Sequence, residues 1–349
     1  MKLSFVTSTL HPGGSERVMS LLANSFAKRG YEVEIVCINK HIVFYTIDEK
    51  VKIRFAEDEV GTSIAKKAIW LRHHIKKEKP DVIIAFMLEV YCMVLACTIG
   101  INIPVISSER IDPHFFSKAK RLLSWILLRR TTHLVVQTNS IKNYHSQSIQ
   151  TKTSVIPNPV TNKVFDIQPL EKENKLIAVG RLDNQKNYPM MIQTFRKIAS
   201  DFPTWTLCIY GEGPERNALQ QIILQNHLCD RVMLLGKTDR IIEEMNKSKV
   251  FVMTSQFEGM SNAMLEAVCV GLPVITTDVS GAAELVEEGK GGYIVKKNNC
   301  SEFETRLRKL LSDENLIKEM SVFNRNKASL FEEQRIVDIW EKLINKVKR

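Results

Sequence analysis

Paired cysteine is missing from this 349-residue sequence. Cys37, Cys92, Cys97, Cys208, Cys229, Cys269 and Cys300 form no CxxC pair and no Cys/His cluster. An odd, scattered set excludes a disulfide scaffold and points to a reducing compartment. Neither GxGxxG nor GxxxxGK[ST] occurs, so the dinucleotide fingerprint and the P-loop are both absent. Aromatics are sparse at 7%. No recognition-helix, zinc-finger or RNP-type motif accompanies the basic pI of about 9.2, so a nucleic-acid partner is not expected. Strand-like Leu3–Val6 follows Met1-Lys2 directly, with no apolar leader and cleavage site, and the expected location is cytosolic. The long apolar run 82–106 carries one charge, Glu89. Glu89 lies near its centre and Asn102 and Pro104 interrupt its end, so strand, short helix and strand fit it better than a membrane span.

What is present is an ordinary globular composition, 44% hydrophobic and 25% charged, of a length that suits two domains. Short apolar runs alternate with helical patterns, the signature of parallel sheets with crossover helices. Strands are expected at 3–7, 32–38, 52–55, 82–86, 104–107, 133–137 and 154–156. Pro157-Asn158-Pro159 then breaks the rhythm, and the polar segment to about Lys172 reads as a linker. The rhythm restarts with strands at 175–179, 206–210, 232–235, 250–253, 273–276 and 292–295. A helical tail follows from about 313, with Ile336, Ile339, Trp340 and Ile344 at helical spacing. The expected architecture is α/β with two doubly wound, Rossmann-like domains facing a cleft. The first spans 1–160, the second 161–330, and a C-terminal helix, 331–349, packs back on the first. Ligands of such sheets bind at the carboxyl ends of the strands.

Four strand-end loops carry residues suited to an anionic ligand. Gly13-Gly14 follow the first strand and let backbone N–H groups approach an anion at a helix N-terminus. A tight turn capped by Ser15 explains the pair equally well. Gly180-Arg181-Leu182-Asp183-Asn184-Gln185-Lys186 follows the strand at 175–179. There Arg181 and Lys186 can clamp a diphosphate, one as a fork and the other as a point charge. Gly211-Glu212-Gly213-Pro214 forms a third, glycine-rich turn. The fullest constellation is Phe257-Glu258-Gly259-Met260-Ser261-Asn262-Ala263-Met264-Leu265-Glu266. Ser261 is placed to cap a helix, and Glu266 lies inside that helix among apolar neighbours, where a carboxylate needs a partner.

Glu258 and Glu266, with seven residues between them, resemble the E-x7-E motif of the retaining, family 4 glycosyltransferases of the GT-B fold. The other stations agree in order: GGSER, GRLDNQKN, GEGP and Asp278-Val279-Ser280-Gly281-Ala282-Ala283-Glu284. The resemblance covers essentially the whole chain. It implies transfer of a hexosyl or N-acetylhexosaminyl group from a nucleotide-diphosphate donor, UDP-linked by expectation, to a glycan acceptor. Glu258 would bind hydroxyls of the transferred sugar, and the N–H groups of Gly259, Met260 and Ser261, beside Asn262, would reach sugar or phosphate. Glu266 would accept from the ribose hydroxyls. Arg181 and Lys186 would hold the leaving diphosphate, with Gly211 and Gly213 beside it. Gly13 and Gly14 would approach from the other domain. The family needs no divalent metal and no cofactor beyond the nucleotide-sugar, and the sequence has no DxD or His/Asp cluster. Glu109, Arg110 and His114 are acceptor-side candidates, although a surface loop with a local Glu–Arg contact fits them as well. An epimerase of the same fold and a non-catalytic sugar-nucleotide-binding protein are the alternatives.

Charge divides unevenly. Residues 1–160 hold 22 Lys+Arg against 13 Asp+Glu, and residues 161–349 hold 27 against 26. The stretch 117–133 joins Lys118, Lys120, Arg121, Arg129 and Arg130 to Leu122, Leu123, Trp125 and Ile126 without an acidic residue. A helix of this kind can rest on an anionic bilayer surface, and a helix that covers the first sheet, with its Lys/Arg as a solvated face, is the alternative. Lys66, Lys67, Arg72, His73, His74, Lys76, Lys77 and Lys79 would add to the field. The expected partners are therefore the donor, a polyprenyl-diphosphate-linked glycan, and the inner face of the cell membrane, in cell-surface polysaccharide assembly.

Overall fold

The computed structural model describes residues 1–40, 42–168 and 170–348. Pro169, in the expected linker, and Arg349, at the end of the expected C-terminal helix, lie outside them. The chain divides into two units, Met1–Pro159 together with the segment from Gln334, and Val160–Glu333.

The first unit is built on seven parallel strands: β1 (Lys2–Thr7), β2 (Glu32–Cys37), β3 (Lys52–Phe55), β4 (Val82–Phe86), β5 (Val105–Glu109), β6 (His133–Val136) and β7 (Thr153–Val155). Their order is β3-β2-β1-β4-β5-β6-β7. β1, β4 and the rest of the central strands are buried on both faces, which is why they read as continuous apolar runs rather than alternating ones. The run 82–106 resolves into β4, the helix Leu88–Cys97 and the start of β5. Among the described residues no helix is long and apolar enough to cross a membrane.

The last helix, Glu333–Lys348, completes this unit's core with Ile336, Val337, Trp340, Leu343 and Ile344. Ile339, expected on the same apolar stripe, is 38% exposed, and Val337 and Leu343 take the packed positions instead. Trp340 is fully buried, stacked at 6.3 Å on Phe86, with the Arg110 guanidinium over both rings.

The second unit holds β8 (Lys175–Val179), β9 (Thr206–Tyr210), β10 (Val232–Gly236), β11 (Val250–Met253), β12 (Val274–Thr277) and β13 (Gly292–Val295). All are parallel, in the order β10-β9-β8-β11-β12-β13. The expected linker is partly structure of this unit. Val160 and Val164 are buried in its core, and Val160 bridges to Glu332. Strand order reverses between β8 and β11, whose register pairs Leu176 with Val250. At such a reversal the crossover helices leave to opposite faces, and the loops beyond the two strand ends open a crevice.

Candidate active site

The two loops with the most distinctive residues spring from the strands that flank this reversal. After β8 comes Gly180-Arg181 and a short turn, Asn184–Lys186. Asn187 then adopts a left-handed conformation, φ +48°, before the helix Tyr188–Ile198. After β11, Thr254–Ser261 leads into the helix Asn262–Val270.

Hydrogen bonds lace the two loops together. Thr254 Oγ1 donates to the carbonyls of Lys186 and Asn187, each at 2.9 Å. Gln185 Nε2 donates to the Phe257 carbonyl at 2.8 Å, and the Gln256 N–H returns a bond to the Gln185 carbonyl at 2.8 Å. The consequence is an ion pair 72 residues apart in sequence. Lys186 Nζ lies 2.5 Å from Glu258 Oε1, and Ser255 Oγ donates to the same oxygen at 2.9 Å. Both charged side chains are largely shielded, at 15% and 11% exposure.

Glycine is required where these loops touch their neighbours. A Cβ on Gly211 would collide with the Gly180 carbonyl, and one on Gly213 with the Leu182 carbonyl. Gly211 also has φ +143°, which L side chains avoid. The turn Gly211–Pro214 therefore seats directly on the β8 loop, joined by the Leu182 N–H to the Glu212 carbonyl at 3.0 Å. On the other side Gly281 packs against the Gly259 carbonyl, where a Cβ would come within 2.6 Å.

The helix Asn262–Val270 starts as its sequence requires. Ser261 Oγ accepts from the Met264 N–H at 3.4 Å, and Gly271 ends the helix in a left-handed turn, φ +88°. Gly259, Met260 and Ser261 precede its N-terminus, where backbone N–H groups favour an anion. Met260 and Ser261 are buried, and Asn262 is half-buried. Glu266 is buried at 5% exposure beside Cys269, whose thiol is pushed up to about 12 by burial and then by this carboxylate. Arg181 differs from the rest. Its side chain is 72% exposed, with Nε 3.8 Å from Asp183 Oδ2, so its guanidinium is open to a ligand.

Gly13 and Gly14 belong to the first unit, at the start of the helix Gly14–Lys28. Among the described residues Ser15 does not cap that helix, whose N-cap is Gly13. The Glu16 carboxylate folds back over Gly13. Burial raises its pKa, and the N–H of Glu16 itself, first among the opposing effects, lowers it. Tyr45 holds the turn by accepting from the Gly13 N–H (3.2 Å) and donating to the Gly13 carbonyl (2.8 Å).

The acceptor-side candidates separate. Glu109 and Arg110 are not a surface loop with a Glu–Arg contact, because β5 runs on to Glu109 and both residues are buried. Glu109 Oε2 accepts from His145 Nε2 at 2.9 Å. Arg110 turns the other way, donating to Asn158 Oδ1 at 2.8 Å beneath Trp340, and burial drives its pKa down to about 9. His114 is exposed, bonded through Nδ1 to Asp112 at 2.8 Å and edge-on to Tyr144.

The basic run on the helix Ile64–Glu78 is also partly consumed. Lys67 is buried on Asn39 and Glu57, Arg72 donates to the Cys97 and Ile99 carbonyls, and His74 binds Glu34. Ser255, Gln185 and Thr254 were not singled out from sequence, although two of them follow β11 directly and the strand-end rule reaches them. His145 carries no local signal at all. Among the described residues no three His, Cys, Asp or Glu side chains gather as a metal site would.

Comparison with known proteins bears on the family and the fold. Residues 12–163 match the model of Glycosyltransferase Family 4, and residues 160–327 that of Glycosyl transferases group 1. The chain is 29% identical, over 100% of its length and 99% of the relative, to a Campylobacter jejuni enzyme. That relative is named GalNAc-alpha-(1->4)-GalNAc-alpha-(1->3)-diNAcBac-PP-undecaprenol alpha-1,4-N-acetyl-D-galactosaminyltransferase. The chain is 26% identical to the amylovoran biosynthesis glycosyltransferase AmsD of Erwinia amylovora, over 98% of this chain and 99% of that one. The solved structure of Anabaena HepE in complex with UDP superposes with a TM-score of 0.87 at 18% identity, covering 99% of this chain and 100% of that one. The chain belongs to the family 4 glycosyltransferases and has the GT-B type of fold, two parallel-sheet Rossmann-like units.

Proposed function

We propose that this glycosyltransferase moves a hexosyl or N-acetylhexosaminyl group, with retention, from a UDP-sugar to a lipid-linked glycan in cell-surface polysaccharide assembly. The observation that carries the donor reading is the Lys186–Glu258 pair at the β8/β11 reversal, beside the N-terminus of the helix that bears Glu266. Lys186 spends one N–H on Glu258 and keeps two for a diphosphate oxygen. Arg181 swings in from solvent to share that charge. Together they stabilise the leaving diphosphate, the electrostatic contribution that dominates such chemistry. Glu258 orients hydroxyls of the transferred sugar, and Glu266 accepts from the ribose.

In a front-face substitution the bond from C1 to the diphosphate oxygen breaks as the bond to the acceptor oxygen forms on the same side. The departing diphosphate takes the acceptor proton. No divalent metal is required in this scheme, since Arg181 and Lys186 supply the positive charge. The names of the Campylobacter and Erwinia relatives, an undecaprenol-linked acceptor and an exopolysaccharide, support the acceptor class.

The helix Lys118–Leu127 supports a peripheral place at the inner face of the membrane. Its buried residue is Ser124, bonded to the Tyr91 hydroxyl, whereas Leu122, Leu123, Trp125 and Ile126 are 46–57% exposed. Arg129 stacks on Trp125 at 4.0 Å, and Arg121 and Arg130 flank the face. An apolar helix face bordered by cations and turned to solvent complements an anionic lipid surface.

The test is incubation with UDP- and GDP-sugars, with and without polyprenyl-diphosphate saccharides, in buffer containing EDTA. Acceptor-dependent release of UDP with the α-linked product is the expected result. Epimerised donor without acceptor, or binding without turnover, overturns the reading. Co-sedimentation with vesicles rich in anionic lipid is expected for the wild type and lost in Leu122→Ser/Ile126→Ser.

A further inference from the structure

The helix that follows the β8 loop begins with Tyr188, a side chain that the donor reading leaves unused. Tyr188 is 2% exposed and belongs to the core of the second unit. Its hydroxyl reaches back over Gly180. A Cβ at that glycine would lie 3.0 Å from Tyr188 Oη and 2.8 Å from Lys186 Cε, so the phenol and the end of the lysine stem share one space at the β8/β11 reversal. Tyr188, Lys186 and Thr254 line a recess there that is too small to admit a water molecule.

Among the described residues that hydroxyl has no hydrogen-bond partner. A buried donor left unpaired is costly, and each one in a folded protein calls for a reason. Burial first, then the charges of Glu258 and Asp183, push its pKa up, so the phenol stays protonated with a hydrogen to give. The two carboxylates differ in what they lose when a ligand arrives. Asp183 is 23% exposed and only 3.8 Å from the solvent-facing Arg181, so water replaces that contact. Glu258 is 11% exposed, and its Oε1 holds Lys186 Nζ at 2.5 Å and Ser255 Oγ at 2.9 Å. A diphosphate carries more charge than a carboxylate and competes for the same ammonium. As Lys186 leans toward it, a shielded carboxylate is left short of a donor, which is costly.

We infer that Tyr188 is a positioning residue for Glu258, its hydroxyl taking over as donor to that carboxylate when a nucleotide diphosphate draws the Lys186 ammonium to itself. The inference rests on the donor reading of this site and adds to it the residue that keeps Glu258 in place while Lys186 serves the phosphates. Movement of the lysine stem off Gly180 is what opens the path from Tyr188 Oη to Glu258. In the free protein the hydroxyl is held unpaired at a cost, and in the complex that cost is removed. Its pairing therefore favours the diphosphate-bound state alone, which a hydrogen bond already made at rest would not do.

The experiment uses the full chain as wild type, Tyr188→Phe, Glu258→Met and the double variant. It measures the thermal midpoint without ligand, UDP affinity by calorimetry and uridine affinity by ligand-observed NMR. Tyr188→Phe is expected to keep or raise the thermal midpoint, because it deletes an unpaired polar group and retains the ring. It is expected to weaken UDP binding about tenfold, the size of one hydrogen bond to a charged group, and to leave uridine binding unchanged. In the Glu258→Met background, which offers no acceptor, the same substitution is expected to change UDP affinity less than about twofold. A lower thermal midpoint in Tyr188→Phe overturns the inference, because the hydroxyl would then be paired at rest. Unchanged UDP affinity, or an equal loss for uridine and UDP, overturns it as well. An undiminished loss in the Glu258→Met background does the same, since the hydroxyl would then serve the phosphates or Asp183. Failure of the wild type to bind UDP instead overturns the donor reading on which the inference rests.

Discussion

Lys186 and Glu258 meet at 2.5 Å although neither is near the other in sequence, because β8 and β11 are adjacent at the point where strand order reverses. Each neutralises a charge the other would leave shielded from water. Lys186→Met and Glu258→Gln are each expected to destabilise the protein by about 1–3 kcal/mol, since each strands a largely buried charge. The double variant is expected to lose less than the sum, as denaturant unfolding of the four proteins will show. For catalysis the order differs. Lys186→Met lowers kcat with the UDP-sugar by about 10²–10³, the size of a lost leaving-group contact, and the double variant does not recover it.

Glu266 acts on binding rather than turnover if it holds the ribose. A hydrogen bond to a charged group contributes about 1.5–3 kcal/mol, so Glu266→Ala is expected to weaken UDP binding by about 10–100-fold in calorimetry. An unchanged affinity would remove Glu266 from the donor site.

Trp340 belongs to the last helix but is fully buried in the first unit, against Phe86 and under Arg110. Trp340→Ala is expected to cost about 3–5 kcal/mol, read as a lower thermal midpoint. Trp340→Phe keeps most of the packing and recovers more than half of that loss.

His133 makes stability depend on acid. Burial first, then Lys346, Lys152 and Lys142, hold its pKa near 4 against an ordinary value of 6.5. Below pH 6.5 the unfolded chain therefore binds a proton that the folded chain refuses. Its contribution is present above that pH and is lost progressively as pH falls toward 4. His133→Gln is expected to flatten the stability profile between pH 6.5 and 4. An unchanged slope in that interval would show that His133 titrates normally.

The positions of the strands along the chain are legible in the amino-acid sequence, because buried parallel strands announce themselves as short apolar runs. The motif loops are legible too, since each follows a strand end and carries Gly, a cap or paired charges. Ser261 capping its helix and Gly271 ending it are local chemistry. Gly211 is local in one respect, its φ, and non-local in another, since the Gly180 carbonyl that excludes a Cβ follows a neighbouring strand.

Other assignments needed the third dimension. Glu109 and Arg110 are neighbours in sequence, yet Glu109 is the last residue of β5 and Arg110, just beyond the strand, turns the other way. One carboxylate therefore meets His145, and one guanidinium is buried under Trp340. The helix Lys118–Leu127 could have covered its sheet with Leu122 and Ile126. Only its packed orientation, with Ser124 inward, shows those residues turned to solvent. Composition, periodic burial and strand-end turns made the two α/β units legible, because they record local backbone demands. The kind of protein came from the resemblance of the ordered motifs and from the family models that match them. Which polar groups meet depends on strand order and helix rotation, and these emerge only when the elements pack.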